Sequence, residues 1–345
     1  MLVLLTTIPG LEEIVEDELM RKIRSIKDVY YRRLSGRVYV FLEDDYSILQ
    51  EMHELRCIER VILLFQKGKT TKDKIAIRVD GKTLYDFLGP RMTFMVRSLR
   101  IGEHCFSSVD LAAFLGENIQ RTMSELVGAT PEVSLSDPDI IFYLEVIEDK
   151  YRLGIDLTGL NALHKRRYKV YVHPSSLNPL IAYCMCKVAD VEKAQRILDP
   201  MCGSGTILIE CKYLNPDVEA WGSDINPQHI AGATINADHA GVKVNFEILD
   251  IAEADSHFPS SFFDVIITNP PFGIREKSIY DISLLYHLLT KKSHKLLRKN
   301  GVLCVLTPRK KLLTSILNKH GFALRKTYTV KHGGITSFII VAVKS

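Results

Sequence analysis

Four short apolar runs in the second half of the chain end in a polar residue: Arg196-Ile-Leu-Asp199, Glu219-Ala-Trp-Gly-Ser-Asp224, Lys243 to Leu249 before Asp250, and Phe262 to Thr268 before Asn269. Runs of this length, bounded by turn residues, read as buried strands. Helical stretches alternate with them. One covers Ile207 to Leu214. Another is opened by Pro227 in its first turn, with Asn226 as N-cap. Such alternation predicts an α/β fold with an open, doubly wound parallel sheet. Acids that follow strands often do no more than face water. Here three acids and an asparagine fall at the same ends of successive strands, where open α/β sheets place their ligands.

The first strand runs into Pro200-Met201-Cys202-Gly203-Ser204-Gly205-Thr206 and then a helix. A strand, a glycine turn and a helix N-terminus form a cradle for a nucleotide-like ligand. Leu208 stands three residues after Gly205, where a dinucleotide site has Gly or Ala, and the turn carries no Gly-Lys-Ser/Thr. Asp224 lies 25 positions after Asp199, where a second strand delivers a carboxylate to ribose hydroxyls. Asp250 could accept a hydrogen bond from an adenine amino group.

Asn269-Pro270-Pro271-Phe272 closes the fourth run. The exocyclic amine of guanine, adenine or cytosine is a poor nucleophile, because its lone pair is delocalised into the ring. The Asn269 amide oxygen and the Pro270 carbonyl can each accept one of its hydrogens, which draws the nitrogen toward sp³ geometry. Two prolines hold those acceptors rigidly. Phe272 offers a face on which an extruded base can stack. By itself the tetrapeptide is equally compatible with an ordinary turn at a strand end.

Asp199-Pro-Met-Cys-Gly-Ser-Gly-Thr206, Asp224, Asp250 and Asn269-Pro-Pro-Phe272 together resemble the motif series of class I S-adenosylmethionine-dependent methyltransferases, in the branch that methylates amino groups. The resemblance covers about 180 to 345. It implies a Rossmann-like catalytic domain that binds S-adenosyl-L-methionine through Asp199, Met201, Cys202, Gly203, Ser204, Gly205, Thr206, Asp224, Ile225, Asp250, Ile251 and Asn269. Gly203 and Gly205 would admit the methionine end. Asn269, Pro270 and Phe272 would be the catalytic set.

In the first half, Arg97-Ser-Leu-Arg100-Ile-Gly102-Glu-His104-Cys-Phe106-Ser-Ser108 precedes a helical pattern, Val109 to Met123. Ile141 to Ile147 and Tyr151 to Gly159 follow. These stretches resemble a THUMP domain, a small RNA-binding module of tRNA-modifying enzymes. The resemblance implies tRNA as partner, with Arg97, Arg100 and His104 among the contacts. Leu163-His-Lys-Arg-Arg-Tyr168 is similar to the Leu-His-x-Arg-Gly-Tyr segment of THUMP-linked guanine-N2 methyltransferases, with Arg167 in place of glycine. The Asn-Pro-Pro-Phe form and an N-terminal ferredoxin-like extension resemble the enzymes acting on position 6 of tRNA. Position-10, ribosomal RNA, and DNA adenine-N6 or cytosine-N4 methylation are the alternatives. A further alternative is an RNA-binding protein with a decayed catalytic domain.

Charge is uneven along the 345 residues. Residues 291–345 hold 13 Lys/Arg and no Asp/Glu, and residues 51–100 hold 11 basic and 6 acidic residues. His164 to Lys169 is a dense basic patch. A charge run can be a plain solvated face. Three of them beside a base-methylating motif predict RNA contact through Lys165, Arg166, Arg167, Arg309, Lys310 and Lys311. Residues 101–150 are acidic, with 10 acids and 2 basic residues, and should face away from RNA. No run of 18 apolar residues predicts a membrane span. Acids at Glu12, Glu13 and Glu16 make the apolar N-terminus a strand and helix rather than a signal peptide. Seven cysteines without a Cys-x-x-Cys pair predict buried thiols, no metal, and a reducing, cytoplasmic setting. Cys202 is expected as a small packing residue. A monomer is expected.

The expected divisions are a ferredoxin-like domain at 1–67, a THUMP domain at 68–157, a linker at 158–178 and the methyltransferase domain at 179–345. Strands are predicted at Leu2 to Thr6, Arg37 to Leu42 and Arg60 to Gln66, and helices at Leu11 to Ile23 and Tyr46 to His53. Lys67 to Lys72 reads as a loop or helix cap. A helix is expected from Pro179 to Ala189. Near the C-terminus, an amphipathic helix from His287 to Leu297 should be capped by Asn300-Gly301. A strand from Val302 to Thr307, a basic helix from Pro308 to His320, and a hairpin around Gly333-Gly334 should follow.

Overall fold

The structure, a computed structural model, describes residues 1–43, 45–272 and 280–345. Leu2–Thr6 (β1), Glu12–Lys22 (α1), Ile26–Tyr31 (β2), Arg37–Leu42 (β3), Ile48–Glu51 (α2) and Arg60–Lys69 (β4) follow the ferredoxin-like βαββαβ order. Their strands lie β2-β3-β1-β4, all antiparallel. β2 escapes the sequence reading because it is an edge strand with weak alternation of buried and exposed residues.

Gly81–Phe87 (α3), Phe94–Ile101 (β5), Ser108–Val127 (α4), Ile140–Ile147 (β6) and Lys150–Asp156 (β7) build the second unit. Ser107 and Asp110 form a reciprocal capping box at the start of α4, and Gly128 ends it. β5 and β6 are parallel, β6 and β7 antiparallel, and β7 pairs with β4. The two units therefore share one seven-stranded sheet. Lys67 to Lys69 correct the loop expectation. They continue β4 across residues 67–68 and pair with Arg152, Tyr151 and Lys150. Pairing with a neighbour strand overrides the weak strand preference of Lys and Gly.

The C-terminal domain comprises Pro179–Val188 (α5), Arg196–Asp199 (β8), Thr206–Leu214 (α6), Glu219–Asp224 (β9), Pro227–Ala240 (α7), Asn245–Ile248 (β10), Ala254–His257 (α8), Phe263–Thr268 (β11), Ile282–Leu296 (α9), Leu297–Thr307 (β12), Lys310–Lys319 (α10), Phe322–His332 (β13) and Ile335–Lys344 (β14). The sheet order is β10-β9-β8-β11-β12-β14-β13, and β14 is antiparallel to both neighbours. β11 is buried along its whole length, as a central parallel strand must be. Asn300 corrects a second expectation. It has φ +62° but lies within β12, past a helix already ended at Leu297. It falls where β12 shifts register against β11, between the pairs Phe263–Leu297 and Val265–Val302.

The N-terminal unit is docked on the catalytic domain. One apolar cluster includes Val15 and Leu19 of α1, Tyr183 of α5 and Val265 of β11. Buried Glu18 accepts from the Tyr183 hydroxyl (2.8 Å) and from Lys22 (2.8 Å). The Lys331 amide donates to the Pro9 carbonyl at 2.9 Å. Among the described residues no helix is long and apolar enough to cross a membrane, and no cluster could hold a metal ion.

Candidate active site

The direction of strand order reverses between β8 and β11, so the loops after these two strands splay apart and leave a crevice. A cavity of about 470 Å³ fills it. Asp199, Asp224 and Asp250 reach it from the ends of β8, β9 and β10, and Asn269, Pro270 and Phe272 from the end of β11. Met201, Cys202, Gly203, Ser204, Thr206, Ile225 and Ile251 also line it.

Gly205 does not. It takes φ +74° at the N-cap of α6, and a Cβ there would lie 3.1 Å from the Ala233 Cβ and 3.0 Å from Phe246. Its smallness lets α7 and β10 pack against the turn. Gly203 is the glycine that faces the cavity. It takes φ +51°, a Cβ on it would meet His173 Nε2 at 2.9 Å, and its amide donates to Asp224 Oδ2 at 3.0 Å.

Each carboxylate is held. Asp224 Oδ1 accepts from the Asn226 amide at 2.9 Å, and His229 Nδ1 stands 3.3 Å away. Asp250 accepts from the Ala252 amide and from the Tyr280 hydroxyl, both at 2.8 Å. Asp199 accepts from the Met201 amide at 3.2 Å. Burial pushes the Asp199 carboxyl up to about 7, and the nearby charge of Asp224 adds to the shift. Burial also raises the Cys202 thiol well above its usual range, which suits a packing residue and not a nucleophile.

Two observations define the ligand this cavity fits. Three carboxylates line it with no Lys or Arg among the described residues. A polyphosphate would be repelled, whereas a neutral nucleoside bearing cationic groups is complemented. Second, the Asn269 Oδ1 is buried and has no hydrogen-bond partner among the described residues. Such an orphaned acceptor is costly unless a ligand donor completes it. S-adenosylmethionine meets the first condition with its sulfonium and ammonium, and the exocyclic amine of a base meets the second.

The residues expected to touch RNA divide into two groups. Arg97 is committed to Asp156 and to the Gly159 and Leu160 carbonyls. Arg166 is committed to Glu210 (3.3 Å), the Leu163 carbonyl (2.6 Å) and the Arg56 carbonyl (2.8 Å). Arg100 bonds the Gly102 carbonyl, and His104 bonds the Glu148 carbonyl and packs on Phe106. All four thus have partners within the protein. Lys165, Arg167, Arg309, Lys310 and Lys311 are exposed.

Glu210 was missed by the sequence reading. It is fully buried, and accepts from Arg56 of the N-terminal unit (two bonds of 2.9 Å), from Arg166 and from the Tyr168 hydroxyl (2.7 Å). A single acid inside the apolar run Ile207-Leu-Ile-Glu210-Cys211 was the available signal. Buried Asn236 was missed as well. It bonds the amides of Val170 and Tyr171 and the Ser204 carbonyl, tying the linker to the cofactor loop. His173 and His229, stacked at 4.5 Å, complete the cavity wall beside Asp224.

The sheet order, the acidic crevice and the Asn-Pro-Pro-Phe turn define a class I amino-methyltransferase joined to an RNA-binding module. Residues 166–337 match the family described as RMKL-like, methyltransferase domain, and residues 74–156 match the THUMP domain. The chain is 30% identical to a tRNA (guanine(6)-N2)-methyltransferase of Archaeoglobus fulgidus, over 97% of this chain and 90% of that protein. It is also 30% identical to one of Methanocaldococcus jannaschii, over 96% of each chain. The crystal structure of TrmN from Thermus thermophilus matches with a TM-score of 0.82 and 26% identity, over 100% of this chain and 99% of that one. The chain belongs to the family of THUMP-containing methyltransferases that includes the tRNA guanine-N2-methyltransferases. It is an S-adenosylmethionine-dependent methyltransferase.

Proposed function

We propose that this protein methylates the exocyclic N2 of a guanosine in tRNA, at position 6, the position in the names of the Archaeoglobus fulgidus and Methanocaldococcus jannaschii relatives, which it matches over nearly its whole length. The observation that carries the reading is the buried Asn269 Oδ1, unpartnered among the described residues, at the switch point of the sheet. S-adenosylmethionine, when bound, supplies a methyl group on a cationic sulfur. Asp224 is placed to accept from ribose hydroxyls and Asp250 from an adenine amine. Asp199 acts on the methionine ammonium. Asn269 Oδ1 and the Pro270 carbonyl accept hydrogen bonds from the two N2 hydrogens, freeing the nitrogen lone pair to form the N–CH₃ bond as the methyl–sulfur bond breaks to leave a neutral thioether; the methylated amine then gives up one proton to solvent. Phe272 stacks the base. Catalysis is then mostly positioning, with no covalent enzyme intermediate.

Residues 1–67 and 68–157 present the RNA, 158–178 connect, and 179–345 catalyse. Lys165, Arg167, Arg309, Lys310 and Lys311 supply phosphate contacts. Six buried thiols among the seven free cysteines support a reducing, cytoplasmic setting. A monomer is proposed, and light scattering tests it. To test the function, unmodified tRNA transcripts are incubated with deuteriomethyl-labelled cofactor and digested for mass spectrometry. N2-methylguanosine in the fragment spanning position 6 is the expected product. Label at position 10 would relocate the site, and label on adenine or cytosine would overturn the assignment.

A further inference from the structure

A second, shallower pocket of about 400 Å³ adjoins the active-site cavity and shares Ser176, Leu177, Asn178 and His332 with it. Its other wall carries His164, Lys165, Arg166 and Lys169. No carboxylate lines it among the described residues. Arg166 is neutralised by Glu210, and Glu59 stands 3.6 Å from His164 Nδ1. Lys165 and Lys169 have no carboxylate partner among the described residues. Lys169 is half-buried, donates to the Leu177 carbonyl (2.7 Å), and is depressed to about 8 by burial. Burial and the neighbouring charges of Arg166, Arg60 and Lys165 hold the His164 imidazole below its usual range. Lys165 and Lys169 thus stand at a concave site with no carboxylate in its described lining, which is the arrangement an anion relieves.

The wall is rigid. The Leu163 amide donates to the Glu59 carbonyl (2.9 Å), Arg166 and Tyr168 are pinned by Glu210, and Val170 and Tyr171 by Asn236. A fixed cationic pocket beside an acidic, base-sized one matches the two ends of a nucleotide.

We propose that the pocket of His164, Lys165, Lys169 and His332 clamps a backbone phosphodiester of the RNA that flanks the guanosine entering the active site. The clamp would set which nucleotide reaches Asn269, since phosphate contacts fix register while carrying no sequence. This inference rests on the proposed tRNA methylation.

Phosphate ethylation interference tests it, using full-length protein and a tRNA transcript ethylated at random. Protein-bound and unbound RNA are separated and mapped. With wild type, ethylating one phosphate beside the methylated guanosine should weaken binding about tenfold, the loss expected for a hydrogen bond between charged groups. Lys165→Gln and Lys165→Gln/Lys169→Gln should lose that interference and keep the rest, and the salt slope should fall by about 0.7–0.9. Lys165→Gln removes no side-chain hydrogen bond among the described residues, so its result stands if the double variant folds poorly. An unchanged interference profile overturns the clamp. So does a ³¹P shift showing that inorganic phosphate fills the pocket while the profile stays the same. Methyl transfer with an unaltered profile sinks the clamp alone. Interference at this phosphate without methyl transfer sinks the tRNA-methylation reading and leaves the clamp standing.

Discussion

Replacing Glu210 with alanine should loosen the junction between the N-terminal unit and the catalytic domain. Glu210 is buried and fastens Arg56 of one unit, Arg166 and Tyr168 of the linker, and its own helix α6. The Arg56 and Arg166 side chains are only 22% and 11% exposed. Without the carboxylate, two half-desolvated guanidinium groups lose their counter-charge. Removing one member of a buried pair costs about 3–5 kcal/mol. Glu210→Gln keeps an acceptor for Tyr168 and one guanidinium, so it should cost less, about 1–3 kcal/mol. The single tryptophan, Trp221 on β9, reports unfolding of the catalytic sheet in urea. With a urea slope of about 3 kcal/mol per molar, the alanine variant should lower the midpoint by about 1 M or more. A midpoint unchanged within error, with both variants equal to wild type, would refute the claim that Glu210 ties the units together.

Three further outcomes are expected. Asp224→Ala should weaken S-adenosylmethionine binding at least tenfold by calorimetry, because charge-assisted hydrogen bonds of about 1.5–3 kcal/mol each are lost; unaltered affinity removes Asp224 from the site. Because Asp199 titrates near 7 when no ligand is bound, cofactor affinity should rise as pH increases through about 7, and binding near pH 6 should release a proton. Its contribution to the stability of the ligand-free fold has the opposite trend, being full below the unfolded value of ~4 and lost as pH rises toward about 7. Flat affinity between pH 6 and 8 contradicts this. Phe272→Ala should impair methyl transfer through lost stacking of about 1–3 kcal/mol, and Phe272→Tyr should retain most of it.

The catalytic sheet was readable because parallel strands are short apolar runs and their polar ends fall in register. Asp199, Asp224, Asp250 and Asn269 are therefore legible in the sequence as sharing one edge of the sheet, where they line the cavity. What escaped depends on tertiary partners. β4 continues through Lys69 only because β7 pairs with it. The pairing of Arg97 with Asp156 and of Arg166 with Glu210 was not legible, since a sequence shows a charge but not the buried carboxylate beside it. The packing of Gly205 against Ala233 likewise appears only in the fold. Arg275 to Ser278 and the rest of 273–279, which follow the Asn-Pro-Pro-Phe turn, lie outside the described residues.

The central claim is that Asn269 orients an exocyclic amine, and single-turnover methyl transfer with saturating enzyme tests it most directly. Asn269→Ala should slow transfer by about 10²–10³, the effect of removing a preorganised polar partner in a dry site. Asn269→Asp should be milder, because a carboxylate still accepts the hydrogen bond. Affinity for tRNA should stay within about twofold of wild type, since the contact is confined to one extruded amine of a ligand held mainly through phosphates. If folded, cofactor-bound Asn269→Ala transferred methyl groups at near wild-type rate, the amine-orienting role would be wrong and the Asn-Pro-Pro-Phe turn would be a structural feature only.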